Sequence, residues 1–229
     1  ERPILLCAYE VTNREFAEFV RDGGYRRREF WPEELRLRAG GKSWTAFLRE
    51  AGFVTADGRT LGPATWRGRS GYAYYPAGSA DFPVTGVSWW EAVAYCNWKS
   101  KKTGRKWRLP TVFEWEAVAA GAAGRKFPWG NTPSVNERGL AGTLLKERAK
   151  TADACAVKTL LNGKYTLRAY HMGGNVSEWT LTELPGAERA AVKGGNWLDI
   201  GASGARTGFR QYIQKDCRYG WLGFRCVIE

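Results

Sequence analysis

The spacing of apolar positions changes along this chain, from helical in the first half to strand-like in the last third. Thr12-Asn13-Arg14-Glu15 forms a capping box, in which the Thr hydroxyl and the Glu carboxylate each satisfy an orphan backbone N–H. Val11 and Phe16 are placed as a hydrophobic staple, and Phe16, Phe19 and Val20 share a face before Gly23-Gly24 closes the helix. Ser88-Trp89-Trp90-Glu91 opens a second helix with Trp89, Ala92, Val93 and Cys96 on one face, stopping near Gly104. Thr111-Val112-Phe113-Glu114, after Pro110, opens a third that ends near Gly121. From Arg26 to Phe82, Trp31, Trp44, Phe47, Phe53, Trp66 and Tyr72 lie among Gly, Arg and turn residues. That stretch reads as loop with short helical and strand pieces, packed by large aromatics. Residues 127–170 are irregular, with a turn at Pro128-Trp129-Gly130-Asn131 and a short helix at 140–150. Strands follow at Ala191-Val192-Lys193 and around residues 208–213. In a last strand Leu222, Phe224 and Cys226 alternate with Gly223, Arg225 and Val227, giving one packed face.

Composition narrows the function. The 229 residues suit one domain, able to bury a core unaided. The 28 Gly argue for many turns and against a helical bundle. No apolar run reaches the roughly 18–20 residues of a membrane helix. The chain opens on Glu1, which leaves room for a preceding segment. The single histidine, His171, leaves no multi-histidine metal site. Cys7, Cys96, Cys155, Cys217 and Cys226 form no CxxC pair and read mostly as buried thiols, with one disulfide left open. The net charge of +12 raises nucleic acid or an acidic partner, with dense clusters at Arg26-Arg27-Arg28 and from Lys99 to Arg108.

A set of strings carries more. They are Tyr9-Glu10-Val11-Thr12-Asn13-Arg14-Glu15-Phe16, Pro83-Val84-Thr85-Gly86-Val87-Ser88-Trp89-Trp90-Glu91-Ala92 and Gly104-Arg105-Lys106-Trp107-Arg108-Leu109-Pro110-Thr111. Gly174-Asn175-Val176-Ser177-Glu178-Trp179, Gly194-Gly195-Asn196-Trp197 and Leu222-Gly223-Phe224-Arg225-Cys226 follow. In this order the set resembles the formylglycine-generating enzyme (sulfatase-modifying factor) family. The resemblance implies an α+β, loop-rich C-type lectin-like fold of the formylglycine-generating-enzyme type over residues 1–229, with a small antiparallel sheet and a few helices.

Departures from the family decide the chemistry. The founding enzymes hold copper on two cysteines after the Gly-Gly turn. Those positions fall at about Asp199 and Gly204, and Asn196 replaces the active-site serine. Without a thiolate pair for Cu(I) the chain is not expected to be an enzyme. A branch that uses a three-histidine iron site is excluded by the histidine count, unless an upstream domain supplies the iron. A family calcium site resembles the Gly174-Val176-Glu178 neighbourhood, but His171 stands where Asn or Asp is usual and suits hard Ca²⁺ poorly. No cofactor is expected, with calcium near Glu178 the one candidate. A second family calcium site finds no carboxylate match in residues 136–155 apart from Asp153.

An intact frame around lost chemistry is similar to the variable proteins of diversity-generating retroelements, in which a C-terminal segment is rewritten at adenine-rich codons. The segment here is 197–221. The candidate ligand-binding residues are Leu198, Asp199, Ile200, Gly201, Gly204, Phe209, Gln211, Tyr212, Ile213, Cys217, Tyr219, Gly220 and Trp221. All but Gln211 and Trp221 are types that edited Asn codons encode. Aromatic and β-branched residues mixed with Asp, Arg and Gly suit a rigid contact surface. The competing reading puts Phe209, Ile213 and Trp221 in the core. Arg206, Arg210 and Arg225 read as scaffold and Arg218 as either. Trp89, Trp90, Trp98, Trp107, Trp115, Trp129, Trp179 and Trp197 read as core. The expected function is a non-catalytic, protein-binding module, a monomer without a membrane segment, with the cytoplasm slightly favoured by unpaired thiols. The alternatives are a copper-dependent oxidase and a basic nucleic-acid-binding domain. Arg exceeds Lys, 23 to 12, which hints at a GC-rich, thermophilic source.

Overall fold

A computed structural model describes residues 5–67, 75–133, 169–199 and 202–229. Tyr72, Asp153, Cys155, Ile200, Gly201 and the 140–150 helix lie outside the described residues. In chain order the elements are β1 (Leu5–Leu6), α1 (Asn13–Arg21), α2 (Glu33–Arg38), α3 (Trp44–Glu50), α4 (Trp89–Thr103), β2 (Trp107–Arg108) and α5 (Val112–Ala120). They continue with β3 (Ser177–Glu183), β4 (Arg189–Lys193), β5 (Arg210–Gln214), β6 (Leu222–Phe224) and β7 (Val227–Ile228).

The capping boxes set where α1, α4 and α5 begin. Thr12, Ser88 and Thr111 each accept from the backbone of the Glu three residues on, and each Glu accepts back. α4 ends on Gly104 at φ 68°, a left-handed position where a side chain is costly. α2 and α3, with a 3₁₀ turn at Arg28–Phe30, supply the short helical pieces expected between Arg26 and Phe82.

The core lies between α1, α4 and the sheet. Phe16 stacks on Tyr95 at 5.5 Å, Phe19 meets Trp98 at 5.8 Å, and Phe224 meets Tyr95 at 5.4 Å. Two of the buried indole N–H groups find carbonyl acceptors across the core: Trp89 donates to Thr180 O and Trp179 to Val87 O. Each staple residue, Val11 and Phe16, is buried in this cluster.

β1, β7 and β2 form an antiparallel sheet in the order β1-β7-β2. The second sheet runs β5-β4-β3-β6. It is mixed rather than antiparallel throughout, because β6 runs parallel to β3 with Ser177 opposite Leu222 and Trp179 opposite Phe224. The single alternating strand expected near the C-terminus is instead two, β6 and β7, one in each sheet. Every residue from Leu222 to Val227 is buried, so the alternation does not separate core from solvent. Gly223 passes so close to β-carbon-excluding backbone that a Cβ there would lie 2.6 Å from Val84 O. Arg225 points into a buried ionic cluster.

Candidate ligand-binding face

The Gly194-Gly195 turn opens the C-terminal segment. Ser177 Oγ donates to Gly194 O at 3.0 Å, and Asn196 Nδ2 donates to Ser177 Oγ at 3.1 Å. Asn196 Oδ1 accepts from Leu198 N at 2.9 Å, and Asp199 Oδ2 accepts from Asn196 N at 3.0 Å. Asn196 thus builds the loop through its side-chain amide and its backbone N–H. Burial pushes the Asp199 carboxyl up, against the Asn196 N–H. Gly204 is buried against this carboxylate and does not face solvent, which corrects its place among the contact residues. Leu198 is exposed on this loop.

Lys193 anchors the approach to β5. Its fully buried ammonium donates to Glu116 at 2.8 Å, to Thr207 O at 2.6 Å and to Phe209 O. Burial lowers its pKa, and Glu116 opposes the shift. Arg210 pairs with Glu116 at 3.4 Å, as scaffold reading requires. Arg206 departs from that reading: it is exposed, and among the described residues its guanidinium bonds only to the nearby Ser203 O.

Beyond β5, clamped and free residues interleave. Lys215 is buried between the rings of Trp89 and Trp90, at 4.7 and 4.8 Å, and pairs with Glu183 at 2.6 Å and Glu34 at 3.2 Å. Asp216 accepts from Trp90 Nε1 at 2.6 Å. Arg218 grips Glu91 with both ends of its guanidinium at 3.0 Å and also donates to the carbonyls of Gly52, Val54 and Gly62. That assigns Arg218 to the scaffold. Between these clamps Cys217 is half-buried, Tyr219 and Gly220 are exposed, and Trp221 is half-buried. Tyr219 stacks flat on Trp221, centroids 4.9 Å apart and planes 9° from parallel. Cys217 Sγ lies 3.5 Å from Tyr219 Oη, a contact that raises the phenol pKa.

Gln211, Tyr212, Ile213, Cys217, Tyr219 and Trp221 surround one shallow depression of about 340 Å³, with Arg189 and Gln214. Six of the sequence-derived candidates thus meet. Phe209, half-buried, enters β5; Leu198, Asp199 and Gly204 do not line this depression. Ile213 and Trp221 each pack one side on the core, so each is partly what the competing reading held. Arg189 and Gln214 were missed: they sit opposite one another across β4 and β5, a pairing only the register reveals.

The calcium neighbourhood is filled by other charges. Arg225 Nε and Nη2 donate to the two Glu178 oxygens at 2.7 Å each, and Trp115 Nε1 donates to Glu178 Oε2 at 2.8 Å. His171, at φ 63°, lies 3.1 Å from Glu10 Oε2 through Nδ1. Burial alone would raise the Glu10 carboxyl, but His171 and Arg225 outweigh it and hold it below the usual range. A hard cation needs free oxygen donors. With both Glu178 oxygens taken and an imidazole in the remaining side-chain position, these residues do not fit calcium. Among the described residues no cluster of His, Cys, Asp or Glu suits another metal. Cys7, Cys96, Cys217 and Cys226 are free thiols.

The fold and these motifs define the class. The chain belongs to the sulfatase-modifying factor enzyme 1-like family, whose domain model matches residues 2–229. It is 29% identical over 247 residues to the inactive C-alpha-formylglycine-generating enzyme 2 of Bos taurus, covering 99% of this chain and 77% of that one. It is 34% identical over 262 residues to the formylglycine-generating enzyme of Thermomonospora curvata, covering 99% and 82%. Among solved structures it is similar to Treponema denticola variable protein 1, with a TM-score of 0.56, 21% identity, and 67% and 74% of the two chains covered. The fold is the C-type lectin-like fold of formylglycine-generating enzymes. Among the described residues no helix is long and apolar enough to cross a membrane.

Proposed function

We propose that this chain is a non-catalytic binding module whose segment 197–221 is a diversified, protein-binding face on a fixed scaffold. The observation that carries the reading is the interleaving at residues 215–221. Lys215, Asp216 and Arg218 are spent on the scaffold, while Cys217, Tyr219 and Trp221 line an open depression with β5. Side chains can change at such positions without loosening the backbone, and rigid aromatics bind at low entropic cost. Relatives bearing the names of an inactive enzyme and of a variable protein accord with this reading. So do Asp199 and Gly204 at the positions of the copper-binding cysteines.

Sequencing the 3′ end of this gene and its neighbouring DNA across a host population tests it. Substitutions gathered in codons 198–221, sparing those of Lys215 and Arg218, with an adenine-rich near-copy nearby, are expected. An invariant 3′ end without a template would overturn diversification.

A further inference from the structure

Among the described residues β5 is the outer strand of its sheet, and its register fixes where its backbone groups point. Lys215 N donates to Glu188 O at 2.9 Å, and Ile213 and Gln211 stand opposite Ala190 and Val192. In an antiparallel ladder these alternate positions exchange bonds with the partner strand, and the residues between them point away. The N–H and C=O of Arg210 and Tyr212, and the N–H of Gln214, therefore face outward. None has a hydrogen-bond partner among the described residues, whereas the Gln214 C=O is taken by Cys217 N at 3.0 Å. β5 carries neither proline nor a register shift to blunt this edge.

The depression beside the edge is lined by one charged residue, Arg189, and by no carboxylate. The Arg189 guanidinium has no ion-pair partner among the described residues, although Glu188, its neighbour, is paired with Arg38 at 2.7 Å. The chain as a whole carries +12. We propose that the β5 edge takes up an extended peptide segment of a partner protein, as an added strand, with an acidic side chain at Arg189. This rests on the reading of the face as a ligand site. Main-chain pairing supplies affinity that is independent of side chains, and the flanking pockets supply selectivity. Such a contact survives replacement of residues 211–213, which a rewritten face requires. The net charge of +12 on the chain also speeds encounter with an acidic partner.

The test pans a phage-displayed library of linear twelve-residue peptides against the full chain and measures the selected peptides by fluorescence anisotropy. Selected peptides enriched in Asp or Glu are expected, at least tenfold weaker on Arg189→Glu, and disrupted by N-methylation at every second amide. Peptides that weaken on Tyr219→Ala but ignore Arg189→Glu or show no alternate N-methyl pattern would overturn the added strand while leaving the face standing. Peptides indifferent to Tyr219→Ala as well would remove both, and an unenriched library would overturn the peptide proposal.

Discussion

A Cβ on Gly204 would stand 2.3 Å from Oδ2 of Asp199, the oxygen that holds Asn196 N at 3.0 Å. Asp199 and Gly204, proposed above to stand in place of the copper-binding cysteines, are thus fitted to each other. The carboxylate closes the loop, and the missing side chain makes room for it. Gly204→Ala must displace that carboxylate, at a cost of about 1–3 kcal/mol by the usual price of overpacking. In Asp199→Ala the same change should cost less, since the clash is gone. Urea denaturation of the two single variants and the double variant measures the coupling; strictly additive losses would contradict the account.

The same loop bears on chemistry. Incubated aerobically with Cu(I) and a cysteine-containing sulfatase peptide, the chain is expected to yield no formylglycine by mass spectrometry, beyond the disulfide that copper and oxygen form without it. Formylglycine in the product would contradict the non-catalytic reading.

Arg225 and Glu178 fill the calcium neighbourhood with a bidentate pair at 2.7 Å, both fully buried. Removing one partner strands the other charge, so Arg225→Leu should lose about 3–5 kcal/mol. Chelation by EGTA should leave the melting temperature of the native chain unmoved through this site. A calcium-dependent rise that Glu178→Gln abolishes would show that the carboxylate serves a metal instead.

A pH effect is expected at the start of α5. Arg108 donates to both oxygens of Glu114 at 2.7 Å, and this holds the carboxyl below its ordinary value despite partial burial. A depressed folded value means the unfolded state binds the proton more readily. The contribution is complete above the unfolded value of about 4.3 and is lost as pH falls through the lowered folded value. Glu114→Gln keeps the capping-box acceptor but not the charge. Its deficit, about 1–3 kcal/mol at pH 7 for a charge-assisted bond, should shrink toward pH 3 in urea melts. A deficit constant with pH would contradict the assignment.

Local chemistry was legible before the fold was known. Thr12, Ser88 and Thr111 each meet a Glu three residues on, so both partners sit in one short window. The motif strings conveyed the fold by resemblance. What stayed hidden is contact between distant segments. Arg218 reaches Gly52, Gly62 and Glu91, so its role as clamp cannot be read from its neighbours. Residues 222–224 pair in parallel with β3 and Val227 lies in β7 between β1 and β2, so 222–227 are buried throughout, and a period-of-two pattern carries no sign of that. Arg206 and Arg225 look alike in sequence, yet one lies in solvent and the other between Glu178 and Glu10.

Separability of face and scaffold is the central claim, and saturation mutagenesis of residues 196–226, displayed on yeast and sorted by protease resistance, tests it most directly. The account predicts broad tolerance at Gln211, Tyr212, Cys217, Tyr219 and Gly220, partial tolerance at Ile213 and Trp221, and intolerance at Gly204, Lys215, Arg218 and Arg225. Equal intolerance at both sets would place the aromatic face in the core and contradict the account.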